Sequence, residues 1–160
     1  MYYSPIYRNE TNPSQPSGSA NAANPSSNPV PALFLDLEKA LNGEYSAIAC
    51  YEQLAKLAPN EEQRNRILEI RNDEIRHYQI ISQMYVTMAG KQPAPQLTEP
   101  CPTEYKAGLL AAFKDEQETV DFYLGITDQT NIPYVKETFR RIAADEQNHA
   151  VWFLYLLMQC

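Results

Sequence analysis

Asp73-Glu74-Ile75-Arg76-His77 and Asp145-Glu146-Gln147-Asn148-His149 contain the chain's two histidines, each three residues after a glutamate and four after an aspartate. The two stretches lie 72 residues apart, from His77 to His149. The same offset carries Glu44 onto Glu116 and Tyr51 onto Tyr123. The chain therefore repeats one unit, a lone glutamate followed 30 residues later by Asp-Glu-x-x-His. Four carboxylates and two imidazoles in this arrangement are the ligand set of a two-metal site.

Working outward, both motifs sit in helical patterns. Apolar residues recur at alternating spacings of three and four over residues 31–58, 60–90, 103–129 and 132–158, which is the helical period. Prolines fall between these segments, at Pro59, Pro93, Pro95, Pro100 and Pro102, or at their openings, at Pro31 and Pro133, and interrupt none of them. Asn60 with Gln63 reads as a capping box opening the second helix. Helices of this length, each about 40 Å at 1.5 Å per residue, predict an antiparallel four-helix bundle.

The candidate ligands lie inside the apolar stripes. The fourth helix reads Val135, Phe139, Ile142, Glu146, His149, Phe153, and the second Ile67, Ile70, Glu74, His77, Ile81, Met84. In the first helix Glu44 stands between Leu41 and Ile48, and in the third Glu116 stands between Phe113 and Val120. All six groups thus point into the bundle. Glu44 and Glu74 are equally far from the turn at Pro59, and Glu116 and Glu146 from Asn131, so antiparallel pairing brings all six to one level. The connection over residues 91–102 reaches about 40 Å when extended. It can run the length of the bundle as a crossover or take a shorter up-down path.

Four buried carboxylates need positive charge, because desolvation costs several kcal/mol per ion and like charges repel. Two Fe(II) ions match the four carboxylates of Glu44, Glu74, Glu116 and Glu146 with His77 and His149 neutral. Residues three apart share a helix face, so Glu74 and Glu146 are placed to bridge two ions while Glu44 and Glu116 cap one each. Mixed carboxylate and imidazole donors suit iron, with manganese as the alternative. Asp73 and Asp145 are candidates to accept the second ring N–H of an imidazole. Tyr51 and Tyr123 are candidates to donate to the capping carboxylates or to take part in redox chemistry; core packing is the competing role. A buried hydrogen-bond network left by duplication is the competing reading of the whole cluster, but no Lys or Arg shares the layer.

A length of 160 residues suits one domain with a continuous core. A net charge of −7, with no basic run longer than Arg140-Arg141, argues against nucleic acid or an anionic membrane surface as partner. The most apolar run, Val151 to Met158, is too short to span a bilayer. Cys50, Cys101 and Cys160 are distant, odd in number and never in a Cys-x-x-Cys pair, which argues against a disulfide framework, a structural zinc or a rubredoxin-type iron centre and for a reducing, cytoplasmic setting. Residues 1–30 are rich in Pro, Ser and Asn and read as a disordered tail, whose Tyr2, Tyr3 and Tyr7 offer contacts to a partner or a second subunit.

Glu44, Glu74-x-x-His77, Glu116 and Glu146-x-x-His149 on four helices resemble the ferritin-like di-iron carboxylate proteins, nearest the rubrerythrin branch. The resemblance covers about residues 32–158 and implies an all-α, ferritin-like four-helix bundle of two antiparallel hairpins. It also implies a non-haem two-iron centre reacting with dioxygen or hydrogen peroxide, fed by an external electron donor or by Fe(II), with a homodimer as one assembly. Tyr51 matches a tyrosine found near the site in rubrerythrins. Two features depart from that branch. Thr119 stands where an extra glutamate is usual, with Glu118 expected to point elsewhere, and no rubredoxin-type Cys-x-x-Cys domain is present. An iron oxidase or peroxidase is therefore the leading expectation, with a metal-stabilised structural or coat-associated bundle and a di-manganese catalase-like enzyme as competitors.

Overall fold

The computed structural model describes residues 29–98 and 100–160. The tail expected over residues 1–30 lies, apart from its last two residues, outside the described residues. Four helices follow in order: α1 Pro29–Leu57, α2 Glu61–Ala89, α3 Tyr105–Gln129 and α4 Pro133–Leu157. All four expected segments are helical, with ends displaced by at most two residues.

Local chemistry sets those ends. Asn60 caps α2 by accepting the Gln63 backbone N–H at 2.9 Å on its side-chain oxygen. The reciprocal half of the expected capping box is not made. The Gln63 side chain instead donates to Gln159 at 2.9 Å and accepts from the Tyr105 hydroxyl at 2.8 Å, tying three helix ends together. Gly90, at φ 66°, takes the left-handed conformation that stops α2 while its N–H still reaches the Val86 carbonyl. Pro133 opens α4, where its missing N–H has no helical partner to lose.

The hairpins α1–α2 and α3–α4 pack side by side. Tyr85 near the end of α2 bonds Glu38 near the start of α1, and Arg71 near the start of α2 bonds Glu52 near the end of α1. Gly108 at the start of α3 lies against Leu54, close enough that a Cβ there would sit 2.5 Å from Leu54 Cδ1. Tyr123 near the end of α3 reaches back to Glu44. α3 is therefore antiparallel to α1, and the connection between α2 and α3 must run the full length of the bundle. It is the crossover that the sequence left open.

This crossover is laid along one face of α1. The Gln96 N–H donates to Asn42 Oδ1 at 2.8 Å, the Thr98 N–H donates to Ser46 Oγ at 3.1 Å, and Cys101 is disulfide-bonded to Cys50 with Cα atoms 5.1 Å apart. Asn42, Ser46 and Cys50 are spaced four apart, so they form one row on the helix. The disulfide corrects the expectation drawn from cysteine spacing. Fifty-one residues separate the two cysteines in the chain, and only the crossover brings them together. The cytoplasmic assignment loses the support that reduced cysteines would have lent it. Among the described residues no helix is long and apolar enough to cross a membrane.

Two apolar clusters fill the interior. One packs Leu37, Leu41, Ile81, Phe139 and Ile142 toward one end, and the other packs Leu54, Ile67, Leu109, Phe153 and Leu156 toward the other. Each such side chain contributes roughly 1.5–3 kcal/mol when fully buried. Between them lies a layer of buried charge that contributes nothing of that kind.

Candidate metal centre

One residue from α1, one from α3 and a pair each from α2 and α4 make this layer. Glu44, Glu74, His77, Glu116, Glu146 and His149 are each no more than 3% exposed. The structure brings all six expected residues together. Stripe periodicity turns them inward, and equal distances from the two hairpin turns set them level.

Their contacts fall into two overlapping groups. His77 Nδ1 lies 3.0 Å from Glu146 Oε1, 3.3 Å from Glu74 Oε2 and 3.9 Å from Glu44 Oε2. His149 Nδ1 lies 2.9 Å from Glu74 Oε1, 3.1 Å from Glu146 Oε2 and 3.6 Å from Glu116 Oε2. Glu74 and Glu146 each turn one oxygen to either imidazole, while Glu44 and Glu116 each serve one side. Ligand atoms of Glu44, Glu74, His77 and Glu146 all lie within 4.8 Å of one another, as do those of Glu74, Glu116, Glu146 and His149. Both sets are able to hold a metal ion.

The cluster is not satisfied by its own hydrogen bonds. Glu44 Oε2, Glu74 Oε1, Glu146 Oε1 and His77 Nε2 are buried and receive no aligned hydrogen bond, although an imidazole nitrogen lies within 3.0 Å of Glu74 Oε1 and of Glu146 Oε1. Buried oxygens in that condition cost about 1–3 kcal/mol each, and more when charged. Hard cations with oxygen and nitrogen ligands remove that penalty, so the donor set fits iron or manganese.

In the metal-free cluster, charge is redistributed by protons. Burial first, then the Glu146 and Glu74 charges, pushes the Glu44 carboxyl well above its ordinary range. Burial first, then Glu74 and Glu146, does the same to Glu116. Burial also works against an ionised Glu146, but hydrogen bonds from His149 and His77 outweigh it and hold that carboxyl down at about 2. Burial opposes a charged His77, yet hydrogen bonds to Glu146 and Glu74 push it up to about 10. His149 is raised in the same way, against burial, by Glu116, Glu146 and Glu74. Imidazolium ions thus occupy the place of cations.

A second ring of residues crosses between the hairpins. The Tyr51 hydroxyl on α1 donates to Glu116 on α3 at 2.7 Å, and the Tyr123 hydroxyl on α3 donates to Glu44 on α1. Each tyrosine therefore serves the lone glutamate of the other half. Burial foremost, followed by the neighbouring glutamate charges, pushes both phenols well above their ordinary range, so they stay protonated donors. The aspartates cross as well. His149 Nε2 meets Asp73 Oδ2 at 3.2 Å, and His77 Nε2 stands 3.6 Å from Asp145 Oδ2. Arg76 pairs with Asp73, and Arg141 pairs with Asp145 at 2.8 Å. Spacing picked out the aspartates but could not say that each faces the other motif's histidine, because that depends on how α2 packs on α4.

A cavity of about 530 Å³ lies between α1 and α3 and reaches Glu44, Glu74, Glu116 and Glu146. Small residues of α1 leave it open. Ala40 and Ala47 line it, and a Cβ added to Gly43 would meet nothing within 4 Å. Thr119 stands in its wall, and Glu118, expected to point elsewhere, lines its exposed part. No sequence signal announced this opening, since alanines and a glycine on a helix carry no pattern of their own.

Residues 36–159 match the family model of the ferritin-like domain. The chain is 55% identical over 129 residues to the uncharacterized protein YhjR of Bacillus subtilis (strain 168), a match covering 81% of this chain and 89% of that protein. In three dimensions it is similar to a hypothetical protein from Pyrococcus furiosus, with a TM-score of 0.68 and 22% identity over 79% of this chain and 90% of the other. At that identity the structural likeness speaks for the fold alone.

Proposed function

The chain belongs to the ferritin-like domain family, and from that premise we propose that it is a di-iron oxidoreductase that reacts with dioxygen or hydrogen peroxide. Glu44, Glu74, Glu146 and His77 would hold one ion, and Glu116, Glu74, Glu146 and His149 the other. The observation that carries this reading is the shared pair: Glu74 and Glu146 each direct one carboxylate oxygen to either imidazole. A pair of iron ions bound there would supply electrons to an oxidant. Manganese fits the same donors.

The chain's own residues would do the rest. Tyr51 and Tyr123 hold Glu116 and Glu44 in place through their hydroxyls. Asp73 fixes the His149 ring by accepting its outer N–H, which leaves Nδ1 free to face the carboxylates. The cavity between α1 and α3 admits a small oxidant while the apolar clusters on either side exclude bulk water.

Thr119 refines the expectation. With no extra carboxylate one turn after Glu116, the two halves offer equivalent ligands, as in a symmetric oxidase. The anaerobic Fe(II)-loaded protein should then be oxidised by both dioxygen and hydrogen peroxide without a strong preference. Stopped-flow absorbance in the near ultraviolet reads both rates. Rates equal to those of free Fe(II) in the same buffer would remove the enzyme reading and leave a metal-stabilised structural bundle. A peroxide rate orders of magnitude above the dioxygen rate would overturn the role given to Thr119.

A further inference from the structure

The Cys50–Cys101 disulfide lies beside the cluster by two independent routes. Along the chain, Cys50 precedes Tyr51, whose hydroxyl is bonded to Glu116. Through space, both cysteines line a small cavity of about 70 Å³ together with Tyr51. Gly43, Ala47, Tyr51, Thr98 and Asp115 line this cavity and also the larger one that reaches the four glutamates. The two spaces share these five residues, so the cavity lined by the disulfide adjoins the one that reaches the cluster.

Two further features separate this pair from a purely structural staple. Cys50 and Cys101 are both half-buried, so an external thiol can reach them. The crossover is also held to α1 without them, by Gln96 on Asn42 and Thr98 on Ser46, and the bundle has its own two apolar clusters. None of these contacts depends on the bond. Among the described residues the remaining cysteine, Cys160, is exposed at the chain's end and bonds back to the Leu156 carbonyl.

We propose that Cys50 and Cys101 are a redox-active pair that supplies the two electrons for peroxide reduction at the carboxylate–histidine cluster, cycling between dithiol and disulfide. The proposal rests on the oxidoreductase reading above and names that site's reductant. In the net step two S–H bonds break and one S–S bond forms, releasing two electrons and two protons. Hydrogen peroxide takes up both pairs, its O–O bond breaks, and two waters result. An external dithiol then restores the pair by thiol–disulfide exchange, leaving as its own disulfide.

Thiol labelling tests this without relying on turnover. The full-length iron-loaded protein is reduced with dithiothreitol, freed of reductant under anaerobic conditions, given hydrogen peroxide, and blocked with N-ethylmaleimide for peptide mapping. Cys50 and Cys101 should lose label together while Cys160 keeps it, and helix content should be unchanged by the reduction step. The metal-free protein, treated identically, should keep label on all three. In Cys50→Ser the partner Cys101 should stay labelled although metal content is normal. Peroxide consumed by the loaded protein with Cys50 and Cys101 still labelled would overturn this proposal alone. Equal loss of label in the metal-free protein would overturn it too, as would a disulfide that dithiothreitol opens only on unfolding. A loaded protein that consumes no peroxide would overturn both this proposal and the oxidoreductase reading.

Discussion

The α1–α2 half and the α3–α4 half are alike in the buried layer they share and different toward the edge where α1 and α3 meet solvent. At an offset of 72 residues, Glu44, Tyr51, Asp73, Glu74 and His77 correspond to Glu116, Tyr123, Asp145, Glu146 and His149. The glutamates, histidines and tyrosines have matching contacts in the two halves, while Asp73 bonds its histidine and Asp145 stands farther from its own. The row Asn42, Ser46 and Cys50, which binds the crossover, corresponds to Lys114, Glu118 and Phe122, of which the last two line the large cavity, as Asn42 does from the other side. Charge and height at the shared layer must be equal on both sides for two ions to be held alike. The outer faces are under no such constraint, and access and the disulfide lie in the part that has diverged.

The sharpest way to break this comparison is to remove a shared ligand. Glu74→Ala or Glu146→Ala should lower bound metal from two ions per chain to one or none, because each serves both ligand groups. Glu44→Ala and Glu116→Ala should each empty one side, and to the same degree. Elemental analysis after gel filtration checks this, and two retained ions in either bridging variant would remove the shared role.

pH should act on both halves together. Glu44, Glu116, His77 and His149 are all raised in the metal-free cluster, and His77, pushed up to about 10, carries a proton at neutral pH that metal must displace. Glu146, held at about 2, has no proton to give there. Raising the pH removes the competing protons, so apparent affinity should climb by roughly tenfold or more per pH unit through the neutral range. Calorimetry in buffers of different ionisation enthalpy measures the protons released; none released would contradict the protonated resting cluster.

Smaller effects sharpen the comparison. Asp73→Asn should weaken metal affinity by about 10–100-fold, as loss of a histidine's outer partner does, and Asp145→Asn should weaken it less. Asp73→Asn should be the more damaging, since Asp73 lies 3.2 Å from its histidine and Asp145 lies 3.6 Å from its own. Competition with a chelator ranks the two. Tyr51→Phe and Tyr123→Phe should keep both ions and cost roughly 1–3 kcal/mol of stability each, since each leaves a buried carboxylate oxygen without its donor. Denaturant unfolding of the metal-free variants reads that cost, and a clear inequality would show that the tyrosines are not equivalent.

Much of this was legible because it repeats or has a period. Val135, Phe139, Ile142, Phe153 and Leu156 define a helix face, and Glu146 and His149 inherit their inward direction from it. Counting residues from the hairpin turns then gave the common level of all six groups. The crossover was not legible, since its length allowed two paths and only the contacts of Gln96, Thr98 and Cys101 with α1 choose between them. The disulfide followed the crossover out of sight. Crossed partners such as Tyr51 with Glu116 were equally hidden, because sequence spacing reports neighbours on one helix and these lie on different ones.

The shared layer stands or falls most directly on an anaerobic Fe(II) titration of the metal-free protein, followed by the change in its thermal unfolding. Uptake should break sharply at two ions per chain, one for each ligand group. Saturation at about a hundred times the dissociation constant should stabilise the fold by roughly 2.7 kcal/mol per ion, about 5 kcal/mol for two, raising the midpoint by about 10–20 °C. A break at one ion per chain, or uptake that leaves the unfolding midpoint where it was, would contradict a two-metal centre built from Glu44, Glu74, His77, Glu116, Glu146 and His149.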